Sequence, residues 1–316
     1  MFAKIIIIGV QTIIEARGIS RQFGSVLALD QIRFEITKGQ CIGIAGGIGA
    51  GKTTLIRLVG GLLPPSVGDL FVLELNTRTN ARAVRERVGI LPEFDGLDME
   101  LSVLDNLLVF GRYFGLSGRQ LKSRAKDLLR HVQLDEAEDW RAMDLRRGQA
   151  RRLALARALI ASPEVLLLDS PARELPASER PWIWNAIERQ RQNHSATLIA
   201  SRDLDELERL CDQVIILDKG KISCQGHPKA LVQQHIGRDI VEYDIAASEL
   251  EYHLQALGGK FQFQVVANRL KIFVPDNVDT LTAMRWVPSD RVELRRARLK
   301  DVYTKLMGHE ITGSPL

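Results

Sequence analysis

Apolar positions along this chain recur with two different spacings, and the changes of spacing mark the elements. Thr12 to Ile19 reads as a strand, Phe23-Gly24-Ser25 as a turn, and Ala28 to Ile36 alternates like a half-buried strand. Lys38-Gly39-Gln40 turns into Cys41–Ala45, a short apolar run. Val165–Asp169, Ala196–Ala200 and Val214–Leu217 are similar buried strands, the last forming a hairpin with Gly220-Lys221-Ile222. Val88 to Phe94 is a strand that leaves through Pro92. Between these runs the spacing is helical: Leu55–Val59, then Leu101 to Met143, Arg151 to Ala161, and Trp182 to Gln192. Pro64-Pro65-Ser66-Val67-Gly68 is a breaker cluster. Strands alternating with helices predict an α/β fold with a mostly parallel sheet covered on both faces.

Past about Gly237 the style changes. Ile240–Ile245 predicts a strand, Ser248–Leu257 a helix, and Phe261–Val266 with Leu270–Val274 a hairpin around Ala267-Asn268. Val278–Arg285 follows as a short helix, Val292–Arg295 as a strand and Leu299–Met307 as a helix. This describes a small α+β unit of ferredoxin-like type. It is expected to be separable and to stand clear of the chemistry upstream.

That chemistry centres on Gly46-Gly47-Ile48-Gly49-Ala50-Gly51-Lys52-Thr53-Thr54, which fits Gly-x-x-x-x-Gly-Lys-[Ser/Thr]. A strand precedes it and a helix follows, which is the context the motif needs. Glycines let several backbone N–H groups converge on one anion, and the helix start adds its positive dipole end. Lys52 then reaches the outer phosphates of ATP and the Thr53 hydroxyl ligates Mg2+. Asp169, closing an apolar strand far downstream, completes the plan of a P-loop NTPase by holding the magnesium shell with Thr53.

Bulk numbers narrow the setting. The net charge is +4, from 43 basic and 39 acidic residues among 316, too weak an excess to argue for nucleic acid. The three cysteines, Cys41, Cys211 and Cys224, show no metal spacing and read as thiols of a reducing compartment. The opening Met1–Val10 has too short an apolar run for a signal sequence, so a first strand or ragged extension is expected. No stretch reaches the ~18 apolar residues of a membrane span. Work at a membrane would require another chain to supply the spans.

With these residues on the page, the sequence resembles the nucleotide-binding subunit of an ABC transporter over nearly all of Ile14–Met307. Within that superfamily it is most similar to drug-resistance and nodulation-factor exporters (NodI-like). Phe94–Asp98, Asn106–Gly115, Arg152–Ile160, Asp205–Asp212 and the tail Leu299–Gly308 carry the likeness. The resemblance implies an ABC-type ATPase domain over 12–236, with a helical subdomain at about 98–147, and a C-terminal α+β extension over 237–316. It implies binding of ATP and Mg2+ and an integral-membrane permease partner. It also implies a head-to-tail homodimer, or a heterodimer with another ABC subunit, and peripheral placement at the cytoplasmic face of the inner membrane. Phe23 stands where the family stacks an aromatic on adenine.

The departures from the family pattern fall in its chemistry loops. Leu145-Arg146-Arg147-Gly148-Gln149 replaces Leu-Ser-Gly-Gly-Gln, the dimer-contact loop that meets the partner's γ-phosphate. Ser170 stands where the general base glutamate should follow Asp169, and Arg202 where a histidine should contact the γ-phosphate. Glu174-Leu175-Pro176-Ala177 replaces Gly-Leu-Asp-Pro. Glu93 replaces the glutamine that senses magnesium, still offering an oxygen to the metal. An unactivated hydroxyl is no base near neutral pH, and arginine stays protonated. The expectation is an exporter's ATP-binding subunit with impaired hydrolysis. The alternative is a regulatory or scaffolding pseudo-ATPase paired with an active sister. A soluble ABC protein acting on ribosomes or DNA usually carries two P-loop domains or a long coiled-coil insertion, and neither is visible here.

Overall fold

The structure, a computed structural model, describes residues 11–192, 196–245, 261–266, 269–276, 278, 280, 284 and 292–308. A strand with one wet face alternates, and β1 (Thr12–Phe23) and β2 (Val26–Thr37) do so as an antiparallel pair. Leu29, Ile32, Phe34 and Ile36 of β2 are buried. The longer step from Leu29 to Ile32 arises because Gln31 sits at φ 53° in a bulge, which keeps the apolar face inward.

β3 (Cys41–Ala45) is buried throughout and leads through the Gly-rich loop into α1 (Lys52–Val59). β4 (Val67–Val72) and β5 (Leu75–Asn76) join the first sheet in the order β2-β1-β4-β5. After α2 (Ala81–Arg85) comes β6 (Val88–Leu91), then a helical segment of α3 (Val103–Arg112), α4 (Gly118–His131) and α5 (Arg147–Leu159). β7 (Val165–Asp169), α6 (Arg180–Gln192), β8 (Ala196–Ser201), α7 (Leu204–Leu210), β9 (Gln213–Asp218), β10 (Lys221–Gly226) and α8 (Pro228–His235) follow. The central sheet runs β10-β9-β3-β8-β7-β6, parallel except for the β10 edge.

Period-2 geometry sorts each central strand onto two cores. Ile42, Ile44, Val165, Leu167, Leu198, Ala200, Ile215 and Leu217 face α1 and the β1–β2–β4 sheet. Cys41, Ala45, Leu166, Leu168, Ile199, Val214 and Ile216 face α3 to α8. Both faces are thus apolar, which is why these strands read as unbroken runs.

The segment 101–143 is not one helical stretch. Ser102 caps α3 by accepting the Asp105 N–H at 2.9 Å, and left-handed Gly115 separates it from α4, which opens on left-handed Gly118. Two short 3-10 turns, Asp135–Ala137 and Ala142–Asp144, complete the segment. α5 starts at Arg147, inside the loop that the sequence left outside the helix. β4, α2, α7 and α8 went unread because Gly, Asp and charged residues interrupt their apolar pattern.

In the C-terminal part, β11 (Asp239–Asp244), β12 (Gln262–Val266), β13 (Arg269–Val274) and β14 (Glu293–Arg296) form an antiparallel sheet in the order β12-β13-β11-β14. That is the order of a ferredoxin-like unit. The helix expected over Ser248–Leu257 and most of the one over Val278–Arg285 lie outside the described residues, as does Met1–Val10. One face of this sheet has its own core of Val241, Tyr243, Leu270, Ile272 and Val274. Ile240 and Phe273, together with Leu299, Val302 and Tyr303 of α9 (Leu299–Met307), join the core under the central sheet instead. The tail is therefore fused to the first unit by apolar burial, against the expectation that it stands apart.

α5 approaches β6 with no room to spare at Gly89, where an added Cβ would lie 2.2 Å from the Ala158 carbonyl oxygen and 2.8 Å from Pro163. Gly89→Ala is expected to cost about 1–3 kcal/mol through overpacking. Chemical denaturation should show a lowered midpoint with an unchanged slope; an unchanged midpoint would mean the helix–strand spacing is slack.

Candidate nucleotide site

The sheet order brings four segments to one edge. Glu93 follows β6, Asp169 and Ser170 end β7, Arg202 follows β8 and the Gly-rich loop follows β3, all at carboxyl ends of adjacent parallel strands. Such an edge is where open α/β sheets hold ligands.

The loop's glycines are needed for different reasons. Gly49 and Gly51 take φ of 76° and 105°. A Cβ on Gly46 would meet the Leu217 carbonyl oxygen at 2.7 Å, and one on Gly51 the Ala28 carbonyl oxygen at 2.6 Å. Ala50 is buried and its carbonyl accepts the Gly220 N–H at 3.1 Å, so the β9–β10 turn braces the loop. Ile48 projects into solvent, and Thr54 lies in the first turn of α1. That turn contains no acidic side chain, leaving its N–H groups and dipole available to an anion.

Lys52 is 9% exposed, and its Nζ donates to the Gly46 and Gly47 carbonyl oxygens at 2.8 and 2.7 Å. Burial is the main cause that lowers its pKa. Arg202 adds to that effect and the Asp169 and Glu93 carboxylates oppose it, so all four charges share one site. Thr53 hydrogen-bonds to Asp169, whose pKa burial raises. A buried carboxylate beside a hydroxyl, with a second carboxylate near it, is a donor set that fits a hard divalent cation. Phe23 ends β1, 42% exposed, with the Arg21 guanidinium 4.6 Å from its ring centroid. An exposed ring suits stacking, and here one such contact is already made.

The loops carrying Glu93, Glu174 and Arg147 are tied together by charge. Glu93 pairs with Arg173 at 2.9 Å, Arg173 with Glu174 at 3.1 Å, and Glu174 with Arg147 at 3.2 Å. Arg146 and Arg147 are exposed at the start of α5, where the helix dipole disfavours cations. Gln149 accepts the Arg146 N–H at 3.0 Å. The Glu179 carboxylate covers Gly148 so closely that a Cβ there would lie 1.9 Å from its oxygen. Ser170 and Glu174 adopt φ of 52° and 59°, unusual for residues with a side chain. Glu93, expected to face a metal, thus has its carboxylate engaged by Arg173.

Sequence reasoning missed Arg151. It is 3% exposed and donates to the carbonyl oxygens of Pro92 (2.7 Å), Asp169 (2.9 Å), Ser170 (2.9 Å) and Pro171 (3.0 Å), and to Asp95 (2.6 Å). One arginine among several in an arginine-rich helix gives no sequence signal. Reasoning also gave no role to Glu206, 1% exposed, which accepts from Ser201 at 2.7 Å and Trp184 at 3.0 Å beneath Arg202.

Residues 29–173 match the family described as ABC transporter. The chain is 34% identical over 300 residues to the Nod factor export ATP-binding protein I of Cupriavidus metallidurans, covering 95% of this chain and 98% of that one. It is 36% identical over 300 residues to the protein of the same name in Sinorhizobium fredii, covering 94% and 87%. Among solved structures, the ATP-binding cassette MJ0796 bound to ADP and Pi superposes with a TM-score of 0.63 at 21% identity, over 68% of this chain and 98% of that chain. The cbiO1 protein of Clostridium perfringens, described as part of the ABC transporter complex cbiONQ, gives 0.64 at 23%, over 79% and 96%.

Burial pushes the Glu206 carboxyl up from 4.5 to about 7. The folded state therefore holds this proton more tightly than the unfolded chain. Its contribution to stability is complete below about 4.5 and is lost as pH rises through about 7, a swing of about 3 kcal/mol. Glu206→Gln is expected to remove that part of the decline between those pH values. Denaturation midpoints measured across the range would test it, and parallel profiles for both proteins would contradict it.

Proposed function

We propose a function from one premise: the chain belongs to the ABC transporter family, as an ATP-binding subunit of the exporter type. On that premise, we propose that it binds Mg-ATP at the Gly46–Thr54 loop beneath a separate membrane permease, and that its own hydrolysis is impaired. The observation that carries this reading is the pairing of an intact nucleotide loop with the side chains now present at its reactive positions.

The binding half rests on Lys52, Thr53, Asp169 and the start of α1, brought together at one sheet edge. Bound magnesium would offset the charge of the phosphate oxygens. Thr53 and Asp169 would hold the metal. Glu93 would join them only by releasing Arg173. Phe23 would stack on the base through its free face.

The catalytic half lacks a base. Ser170 offers a hydroxyl, and its backbone serves Arg151 and Ala200. Glu93 and Glu174 are both held by Arg173. Arg202 brings a fixed cation to the site, able to attract phosphate but unable to take a proton. In a head-to-tail dimer the loop offered to the partner's nucleotide would carry Arg146 and Arg147, with Glu179 over Gly148.

A membrane partner is supported by apolar side chains left in solvent around the Glu93 loop and the helical segment. Phe94, Met99, Tyr113, Trp140 and Met143 are all at least half exposed. Among the described residues no helix is long and apolar enough to cross a membrane. A permease at the inner membrane would then hold the chain at its cytoplasmic face.

Losing a general base costs about 10²–10⁴ in rate, and residues acting as a unit give non-additive losses. Steady-state phosphate release by the purified chain should therefore be far below that of an ordinary ABC subunit. Ser170→Glu alone, or Arg146→Ser with Arg147→Gly alone, should gain little, and all three together with Arg202→His considerably more. Robust turnover by the unmodified chain, abolished in Lys52→Ala, would overturn the impaired-hydrolysis reading.

A further inference from the structure

Helix α9, near the end of the chain, reaches the nucleotide loop. Tyr303 is 2% exposed, and a Cβ on Gly47 would lie only 3.4 Å from its phenol oxygen. The Gly47 N–H donates to that oxygen, while burial and the Asp218 carboxylate hold the phenol in its neutral form. Gly47 is also one of the two residues whose carbonyl oxygens hold the Lys52 ammonium. A side chain of the C-terminal part therefore touches the turn that holds the loop's lysine.

The same helix is tied to the segment after Arg202. Arg298, just before α9, pairs with Asp205 at 3.1 Å and Glu208 at 3.5 Å on α7, and Glu208 also accepts the Leu299 N–H at 3.4 Å. Its first turn is anchored to its own sheet: Asp301 is buried and accepts from Arg295 at 2.6 and 2.8 Å. α9 thus links the C-terminal sheet, α7 and the nucleotide loop as one packed body.

We propose that Tyr303 is a positioning residue of the nucleotide site: its phenol fixes the Gly46–Gly47 turn, so that nucleotide occupancy and the seating of the C-terminal unit are thermodynamically coupled. The coupling half rests on the nucleotide reading above; the positioning half does not. Coupling must be reciprocal. If a seated Tyr303 favours nucleotide, nucleotide must favour a seated α9.

The test is amide hydrogen exchange on the full chain, with and without Mg-ATP, alongside a Mg-ATP binding titration. Tyr303→Phe removes the phenol oxygen and keeps the ring. Leu306→Ala, a half-exposed position on the same helix, controls for loosened packing. In the nucleotide-free protein, Tyr303→Phe should speed exchange of the peptide covering Gly46–Gly51 while the thermal midpoint stays near wild type. It should weaken Mg-ATP binding roughly three- to tenfold, the range for one hydrogen bond. Mg-ATP should slow exchange across α9 in the wild type and in Leu306→Ala, but much less in Tyr303→Phe. The inference is overturned if nucleotide protects the loop equally in all three proteins while α9 does not respond. If the wild type shows no saturable binding, the nucleotide reading and the coupling fail together, and loop exchange without nucleotide still decides whether Tyr303 positions the turn.

Discussion

Arg151 holds its guanidinium between two segments, gathering carbonyl oxygens from both and the Asp95 carboxylate from one. Pro92 and Asp95 lie in the loop just beyond β6, and Asp169, Ser170 and Pro171 close β7. Buried acceptors left without donors cost about 1–3 kcal/mol each. Only arginine brings five N–H donors to one buried point. The start of α5, the Glu93 loop and the end of β7 are consequently held in one geometry. Every other feature of the site, from the Thr53–Asp169 contact to the position of Ser170, is measured from that geometry.

Around this fixed centre the substituted residues have formed a charge pattern of their own. Arg146 and Arg147 put cations at the positive end of α5, an unfavourable placement. Acidic groups gather to offset it: Glu174 on Arg147, and Glu179 over Gly148. Arg173 in turn draws both Glu174 and Glu93 to itself and lays its guanidinium on the Phe94 ring, 4.7 Å from the centroid. These pairs are partly exposed and individually weak. Their importance is directional, because they occupy carboxylates that could otherwise face a metal or a water. These loops are organised around their own ion pairs.

The sequence reading succeeded where physics is local. A buried parallel strand is apolar on both faces, so β3, β7, β8 and β9 could be read directly, and Gly49 and Gly51 announced a tight turn at positive φ. It failed where charged residues or a bulge interrupt the apolar spacing, and where partners are distant in the chain. α7 carries Asp205, Glu206, Glu208 and Arg209, and its start is set by Asp203 accepting the N–H groups of Asp205 and Glu206. The bulge at Gln31 hides the inward face of β2 from strict alternation. Arg151 reaches residues between 18 and 59 positions away, and Tyr303 lies against Gly47 at the other end of the chain; neither residue type nor spacing signals that. The most consequential misreading was the tail, whose last helix, Leu299–Met307, was read correctly but whose apolar face belongs to the first unit.

The central claim is a site that takes up ATP and leaves it intact. Its most direct test is the identity of retained nucleotide: incubate the purified chain with Mg-ATP, remove free nucleotide rapidly, denature, and separate what the protein held. The account predicts ATP, retained by the wild type and absent from Lys52→Ala. Recovery of ADP with released phosphate as the main product would contradict it.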